Sequence, residues 1–256
     1  NRSGVRQLAV ICFSLAVLLM IFTLVNGTEI KGATRWITLL GFSIQPSEFV
    51  KPCFAIIAAW MFSAWRLKED FPGYMVAVGL YLTVVALLLM QPDVGMAILV
   101  SVVWGVQFFL AGLPMLLVLA IGIIFISGGF VAYFNFEHVQ TRIDRFFDPA
   151  SSEAYQVMRS LEAFRNGGVF GRGPGEGHVK AVLPDAHADF IFAVAGEEFG
   201  LVMTLLIVAL FLFVVLRGFG RAFKETDLFV QLAVAGLLVQ FGLQAIINMA
   251  STLNLM

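Results

Sequence analysis

The feature that most constrains this chain is an unbroken apolar run, FGLVMTLLIVALFLFVVL, which occupies residues 199–216 without a charged side chain. A helix needs about 20 apolar residues to cross a bilayer, and within lipid only helices and closed barrels satisfy every backbone hydrogen-bonding group. The whole chain has a mean hydropathy of +0.92 and 13% charged residues, against about 25% in soluble domains. The sequence therefore predicts an integral membrane protein.

Seven apolar runs are long enough to be membrane-spanning helices, and they predict an all-α fold, a polytopic transmembrane helical bundle. The runs cover residues 8–25, 49–65, 73–90, 95–111, 113–134, 190–216 and 228–249. The fourth and fifth are separated only by the segment AGLP, in which Gly and Pro favour a tight turn. Because the chain begins at Asn1 and ends just after an apolar run, we expect it to be part of a longer polytopic protein.

The basic residues assign the connections to the two sides of the membrane. Connections after even-numbered runs share a face with the N-terminus, and this face holds Arg2, Arg6, Arg66, Lys68, Arg217, Arg221 and Lys224. The short connections of the other face hold only Lys31 and Arg35. Because cytoplasmic loops are enriched in Lys and Arg, we expect the N-terminus in the cytoplasm and residues 135–189 as a large extracytoplasmic loop. The net charge of −1 gives no sign of nucleic-acid binding.

The two cysteines lie in different runs, Cys12 near the start of the first and Cys53 near the start of the second. Consecutive spans run antiparallel, so the two residues are expected at opposite depths in the membrane. A disulfide needs Cα atoms within about 7 Å of each other, and we therefore predict no bond between them.

Three short polar motifs fall on the predicted outer face. In QPSEFVK, Glu48 and Lys51 are three residues apart and share a helix face, where they can pair. In QPDVG, Asp93 complements the positive end of a helix dipole. In GATRW, Arg35 can hold a phosphate group or contact lipid headgroups. The residues alone leave open whether these groups stabilise helix ends or form the wall of a polar pocket.

The long connection contains SSEAYQVMRSLEAFRNGG, which predicts an amphipathic helix lying on the membrane surface. Its apolar stripe is expected at Ala154, Met158, Leu161 and Phe164.

The next segment, GGVFGRGPGEGHVK, has six glycines. Glycine lets backbone N–H groups approach an anion closely, and Arg172, His178 and Lys180 add positive charge. A flexible loop without a ligand is the alternative that the sequence leaves open.

The segment LPDAHADFIFAVAGEEFG leads into the longest apolar run, with a helix expected to begin near His187–Asp189. Glu197 and Glu198 then lie inside the bilayer, where a carboxylate must be paired, protonated or exposed to a cavity. We interpret both as structural or substrate-gating. Asp189 lies at the outer boundary, where water and substrate can reach it. His178 and His187 lack metal-ligand spacing, so no zinc site is predicted.

Together these motifs resemble the SEDS family (shape, elongation, division and sporulation), which includes FtsW, RodA and SpoVE. The resemblance rests on GATRWITLLGFSIQPSEFVK, QPDVGMAIL, RIDRFFDP, SLEAFRNGGVFGRGPGEGHVK and LPDAHADFIFAVAGEEFG, in the family order. It covers essentially the whole chain as one partial transmembrane domain, residues 1–256, and the GPGEGHVK and LPDAH segments are closer to the FtsW branch. Ala188 stands where the family commonly has Thr. The family has ten spans, so this chain would hold the third to the ninth.

The resemblance implies a peptidoglycan glycosyltransferase that polymerises lipid II at the outer face of the cytoplasmic membrane during septal cell-wall synthesis. Its partners would be a class B penicillin-binding protein, other division proteins and membrane lipids. Asp189 would be the catalytic general base on the acceptor sugar's 4-hydroxyl, in an inverting displacement that expels undecaprenyl pyrophosphate. The substrate-binding residues would be Arg35, Glu48, Lys51, Asp93, Arg172, Lys180 and His187. No cofactor is required by these motifs, with a divalent cation left open.

Two other classes of function remain alternatives. A lipid II flippase or transporter would need a polar path to the inner face, and the inner halves of these runs carry few polar residues. A division scaffold protein would need none of the charges on the outer face.

Overall fold

The computed structural model describes residues 2–30, 33–39, 42–67, 71–91, 93–112, 152–184, 186–253 and 255, together with scattered positions between 116 and 140. Helices dominate these ranges, and the all-α, polytopic fold class is confirmed. The apolar helices are α1 (Arg2–Asn26), α2 (Pro46–Leu67), α3 (Gly73–Met90), α4 (Val94–Leu110), α6 (Ile191–Ala222) and α7 (Leu228–Thr252). A more polar helix is α5 (Ser152–Gly167), and a short 3-10 helix covers Val179–Ala181.

Six of the seven predicted runs coincide with helices in the described ranges. Five of them, α1, α2, α3, α6 and α7, are long and apolar enough to cross a membrane. Helix α4 is also apolar but has only 17 residues. The run predicted at 113–134 lies largely outside the described residues.

A small antiparallel sheet connects α1 to α2, and the sequence analysis did not predict it. Its strands are β1 (Thr28–Ile30), β2 (Ala33–Leu39) and β3 (Phe42–Ile44), in the order β1-β2-β3. Thr28 pairs with Trp36, and Ile37 pairs with Ile44. The β2 sequence ATRWITL is rich in aromatic and β-branched residues, which favour strands. The sheet fixes the backbone position of Arg35.

Residue contacts divide the chain into two compact units, Asn1–Val118 with Val215–Phe241, and Leu119–Val214 with Gly242–Met256. In the first unit α1 packs against α2, and the rings of Phe13 and Phe54 stack with centroids 6.3 Å apart. Buried Gln107 of α4 donates hydrogen bonds to the carbonyls of Ala55 (2.8 Å) and Leu232 (3.0 Å), which links α4 to α2 and α7. Such amide bonds hold neighbouring helices together inside a membrane.

The expected separation of the two cysteines is wrong. The side chains of Cys12 and Cys53 are close enough to interact at the α1–α2 contact, and both thiols are free. The reason is the start of α1 at Arg2, six residues before the predicted run. Cys12 therefore lies near the middle of a 25-residue helix, at a depth that Cys53 of α2 also reaches.

The second unit has a small apolar core between α5, the loop after it and the start of α6. Its buried members are Ala163, Val179, Leu183, Ala186, Phe190 and Ala193, with Phe164 and Val194 packed against them. The helix predicted for the long connection is confirmed as α5.

The predicted apolar stripe of α5 is wrong in part: Phe164 packs against the core, but Met158 is 66% exposed, and the buried face contains Ser160, Ala163 and Gly167. Small residues define this face because α5 approaches α6 closely: a Cβ on Gly167 would lie 2.0 Å from the carbonyl oxygen of Gly196.

Candidate functional site

In the first unit, Arg35 and Asp93 form the centre of a polar cluster at the start of α4. Asp93 is the N-cap of α4 and is only 4% exposed. Its Oδ1 accepts a hydrogen bond from the Met96 N–H (3.3 Å), and its Oδ2 lies 3.3 Å from Nη1 of Arg35. Arg35 also donates from Nε to the carbonyl of Gln91 (3.2 Å). The predicted placement of Asp93 at a helix N-terminus is therefore confirmed.

Lys51 and Glu48 of α2 form the predicted ion pair, with Lys51 Nζ 2.7 Å from Glu48 Oε2. The Lys51 side chain is buried and also contacts the sulfur of Met96 (3.3 Å), whereas the Glu48 side chain is 43% exposed. Gln45 donates to Asp93 Oδ2 (3.4 Å). We call these residues the first cluster: Arg35, Gln45, Glu48, Lys51 and Asp93.

The first cluster contains two cations and two carboxylates, so its formal charge is zero. Each charged side chain of the cluster already pairs with another residue of the protein. A charged ligand must therefore take the place of one of these pairing residues. Electrostatic interactions in such a partly buried site are stronger than in water. The cluster is therefore suited to recognising a polar, charged group that can replace Glu48 or Asp93 as the partner of a cation.

In the second unit, the glycine-rich loop fills a break in α6. Helix α6 is interrupted at Gly200, which has φ +75°. The N–H groups of Leu201 and Val202 donate to the loop carbonyls of Gly168 (2.9 Å) and Val169 (3.2 Å). A broken helix at membrane depth is tolerated only where its freed backbone groups find partners.

The loop also donates hydrogen bonds back to α6. The N–H groups of Arg172 and Gly173 donate to the carbonyls of Glu197 and Glu198, each at 3.0 Å. This exchange needs close approach of the two backbones at Gly171, which has φ +82°. A Cβ at Gly171 would lie 2.2 Å from the Glu198 carbonyl oxygen.

The side chains of the two glutamates of α6 accept further hydrogen bonds from the loop and from α5. Glu197 is fully buried, and its oxygens accept from the N–H of Val179 (2.9 Å) and the side-chain amide of Asn166 (3.3 Å). Glu198 pairs with Lys180 at 2.6 Å, and Lys180 also donates to the Gly175 carbonyl (2.7 Å). The loop therefore surrounds an anion, as its glycines predicted, but the anions are the chain's own carboxylates. These contacts support the structural interpretation of both glutamates.

Asp189 lies in a turn that directly precedes α6. The helix begins at Ile191, two residues after the expected start, because the Phe190 carbonyl is the first acceptor and receives the N–H groups of Ala193 and Val194. The Asp189 side chain is exposed, and within the described residues no group donates to its carboxylate. Its main-chain carbonyl accepts a hydrogen bond from the Asn248 amide at 3.2 Å.

Two other predicted site residues, Arg172 and His187, are exposed in the same unit. Arg172 donates from Nε to the Asn166 carbonyl (3.4 Å). An apolar groove of about 250 Å³ lies beside Glu198 and is lined by Phe170, Gly173, Pro174, Phe199, Val202, Met203 and Leu206. Its lining suits a hydrocarbon chain better than a sugar. Among the described residues, no three His, Cys, Asp or Glu side chains lie together as metal ligands.

Sequence reasoning missed three polar residues that the structure brings into these sites. The sequence motif indicates no role for Gln91, yet its side chain is buried and its main-chain carbonyl accepts a hydrogen bond from Arg35. Asn166 and Asn248 were not singled out, although both donate to site residues. An asparagine inside an apolar helix, as at position 248, was a usable signal, because Asn is a poor helix former and is costly in a membrane.

The helices and the two sites define a multi-pass membrane protein that gathers its polar residues at helix ends and at a broken helix. A family model described as "cell cycle protein", for FtsW, RodA and SpoVE, matches residues 2–256. The chain belongs to this family, and the resemblance to the SEDS proteins is confirmed.

Relatives and solved structures agree with this assignment. The chain is 43% identical over 251 residues to a protein of Caulobacter vibrioides named "probable peptidoglycan glycosyltransferase FtsW", and 35% identical over 263 residues to one of the same name from Trichlorobacter lovleyi. These alignments cover 98% and 96% of this chain, and 64% and 66% of the relatives. The chain thus spans slightly less than two thirds of their length.

Two solved structures share the fold over nearly the whole chain. One is a chain from a peptidoglycan synthase complex, studied for how it coordinates polymerization and crosslinking. It matches with a TM-score of 0.77 and 26% identity, and the alignment covers 100% of the present chain and 73% of the solved one. The other is the rod shape determining protein RodA of Thermus thermophilus, with a TM-score of 0.64 and 26% identity. That alignment covers 98% of the present chain and 68% of the RodA chain.

Proposed function

We propose that the full-length protein is a peptidoglycan glycosyltransferase that polymerises lipid II at the outer face of the cytoplasmic membrane. The observation that carries the proposal is Asp189, an exposed carboxylate without a described donor, on a turn whose flanking residues Ala186 and Phe190 are buried. A carboxylate that is held in place and not satisfied by the fold retains its capacity to accept a proton. The relatives' name, probable peptidoglycan glycosyltransferase, supports the proposal that this capacity serves glycan polymerisation.

In the proposed reaction, Asp189 accepts the proton of the acceptor sugar's 4-hydroxyl as that oxygen attacks the anomeric carbon of the donor. The bond between this carbon and the pyrophosphate oxygen breaks, undecaprenyl pyrophosphate leaves, and the configuration at the carbon inverts. General-base catalysis of this kind contributes about 10²–10⁴ in rate.

Substrate recognition is proposed for the first cluster and for the basic residues of the glycine-rich loop. Arg35 and Lys51 would attract the pyrophosphate, with Glu48 and Asp93 as the internal partners that the substrate displaces. Arg172, Lys180 and His187 of the second unit are proposed as further substrate-binding residues. Lys180 must leave Glu198 to do so, whereas Arg172 and His187 are exposed already.

The proposal includes topology and partners. Residues 135–189 would form the large extracytoplasmic loop of a single partial domain, 1–256, because the basic residues favour the opposite face as cytoplasmic. A class B penicillin-binding protein would supply the crosslinking activity, and other division proteins and membrane lipids would surround the complex. The neighbour from a peptidoglycan synthase complex supports such an assembly.

The test is Asp189→Asn in the full-length protein with its partner present and the partner's transpeptidase blocked. Asn is nearly isosteric but cannot accept a proton as a base, so glycan polymer yield from lipid II should fall by about 10² or more. Expression, membrane insertion and partner binding should stay at parental levels.

Asp185→Asn, four residues earlier in the same motif, is the matched control and should cost far less. Near-parental polymerisation by Asp189→Asn would reject the general base and favour a flippase or a scaffold.

A further inference from the structure

Asp189 lies in a turn and not in a regular helix, which raises the question of what fixes the direction of its side chain. Residues 186–190 precede α6, and the first helical acceptor is the Phe190 carbonyl. A catalytic group must keep its geometry to within about 0.5 Å. Since the Asp189 carboxylate has no described donor, its position depends on its backbone.

Apolar packing holds both flanks of the turn. Ala186 is 3% exposed and Phe190 is 8% exposed, and both lie in the small core with Ala163 of α5. Such contacts are favourable but non-directional. They keep the turn against the core without fixing the direction in which the exposed Asp189 side chain leaves it.

Within the described part of the chain, α7 makes a directional contact with the turn. Asn248 Nδ2 donates to the main-chain carbonyl of Asp189 at 3.2 Å, across 59 residues of sequence. The Asp189 carbonyl lies just before the first helical acceptor, the Phe190 carbonyl. The Asn248 amide therefore supplies a donor to a carbonyl that α6 does not engage.

The helix that presents Asn248 is itself fixed within the same unit. Buried Ser160 of α5 donates from its hydroxyl to the carbonyl of Thr252, at the last turn of α7. Helix α5 also supplies Ala163 and Phe164 to the core beneath the turn. The Asp189 turn, α7 and α5 are therefore connected in a closed set of contacts, in which Asn248 provides the polar link to the turn.

We propose that Asn248 is a positioning residue for Asp189. It holds the Asp189 carbonyl and thereby fixes the Cα and the direction of the carboxylate, without itself touching the substrate. This inference rests on the proposed function. A displacement of about 1 Å at a reacting group can cost 10²-fold in rate, so losing the Asn248 donor should lower kcat by about ten- to a hundredfold.

The experiment compares Asn248→Leu, Asn248→Asp and Asn248→Gln in the full-length protein with its partner. Leu and Asp have a similar size but lack the amide donor, so both should lower kcat for lipid II polymerisation while KM changes less than twofold. Gln keeps the donor on a longer side chain and should recover at least part of the rate. Ser251→Ala is the matched control on the same helix, since the Ser251 hydroxyl donates to the main-chain carbonyl of Asn248 and not to its side chain, and it should polymerise at the parental rate.

A double-mutant cycle with Asp189→Asn separates positioning from general stability. If Asn248 acts through Asp189, then Asn248→Leu should not lower the residual rate of Asp189→Asn further. An equal loss in both backgrounds, a change confined to KM, or no loss in Asn248→Leu would each overturn the proposal. Full activity of Asp189→Asn would instead reject the proposed function. This outcome can be told apart from a failure of the Asn248 proposal, because it is measured in a variant in which Asn248 is unchanged.

Discussion

Asp189 and Glu197 are carboxylates eight residues apart, yet the structure gives them opposite surroundings. Glu197 is fully buried, and both its oxygens accept hydrogen bonds from the loop and α5. Asp189 is exposed and has no donor among the described residues. A carboxylate whose acceptors are filled by the fold stabilises the structure, whereas a positioned carboxylate with open acceptors can react. The comparison separates a structural residue from a catalytic candidate.

The two lysine–glutamate pairs show a related contrast. In the first cluster the cation is buried, since the Lys51 side chain is 2% exposed and that of Glu48 is 43% exposed. In the second unit the carboxylate is the more buried partner, since the Lys180 side chain is 32% exposed and that of Glu198 is 12% exposed. A ligand can therefore approach the first pair from its carboxylate side and the second pair from its cation side.

The largest effect on stability is expected for Gly171→Ala, which would separate the loop from α6. The new Cβ would meet the Glu198 carbonyl at 2.2 Å in a backbone with φ +82°. We expect a loss of about 3 kcal/mol or more, measured as thermal unfolding of the full-length protein in detergent.

Gly175→Ala is the matched control, because Gly175 has φ +84° but nothing within 4 Å of a Cβ. It should cost only the backbone strain, about 1–2 kcal/mol. Equal losses in the two variants would mean that the loop does not pack against the break in α6.

Glu197→Ala is expected to have the next largest effect, because it leaves the Val179 N–H and the Asn166 amide without an acceptor. Each unsatisfied buried group costs about 1–3 kcal/mol. Asp189→Asn should leave the unfolding midpoint nearly unchanged, since it removes no internal bond. Glu197→Gln keeps one acceptor oxygen, so its loss of stability should lie between those of Glu197→Ala and Asp189→Asn. If Asp189→Asn destabilises as much as Glu197→Ala, the two carboxylates do not differ in the way proposed.

A smaller effect on folding than that of Glu197→Ala is expected for Lys180→Ala, which removes one partly exposed ion pair. A partly exposed ion pair contributes about 0–1 kcal/mol, so the unfolding midpoint should shift little. Binding of lipid II should weaken if Lys180 attracts its pyrophosphate. Arg159→Ala removes another exposed basic residue, one that pairs with Glu162 on α5, and should leave the affinity as it is. Unchanged affinity in Lys180→Ala would remove Lys180 from the substrate site.

The sequence by itself determined the helices and the family. Helix α3 at Gly73–Met90 coincides with its predicted run, because an uncharged apolar segment of that length has few alternatives to a helix in a membrane. The Glu48–Lys51 pair was predictable because residues three apart on a helix face each other. Asp93 as a helix cap was likewise readable from its neighbours alone.

Only the tertiary structure decided which distant residues meet. The Asn248–Asp189 bond joins residues 59 positions apart, and the Arg35–Gln91 bond joins residues 56 apart. The loop amides could be predicted to bind an anion, but not that Glu197 and Glu198 would supply it. The contact of Cys12 with Cys53 was predicted wrongly for the same reason. Helical spacing records only local geometry, whereas these contacts depend on how each helix begins, breaks and packs against its neighbours in three dimensions.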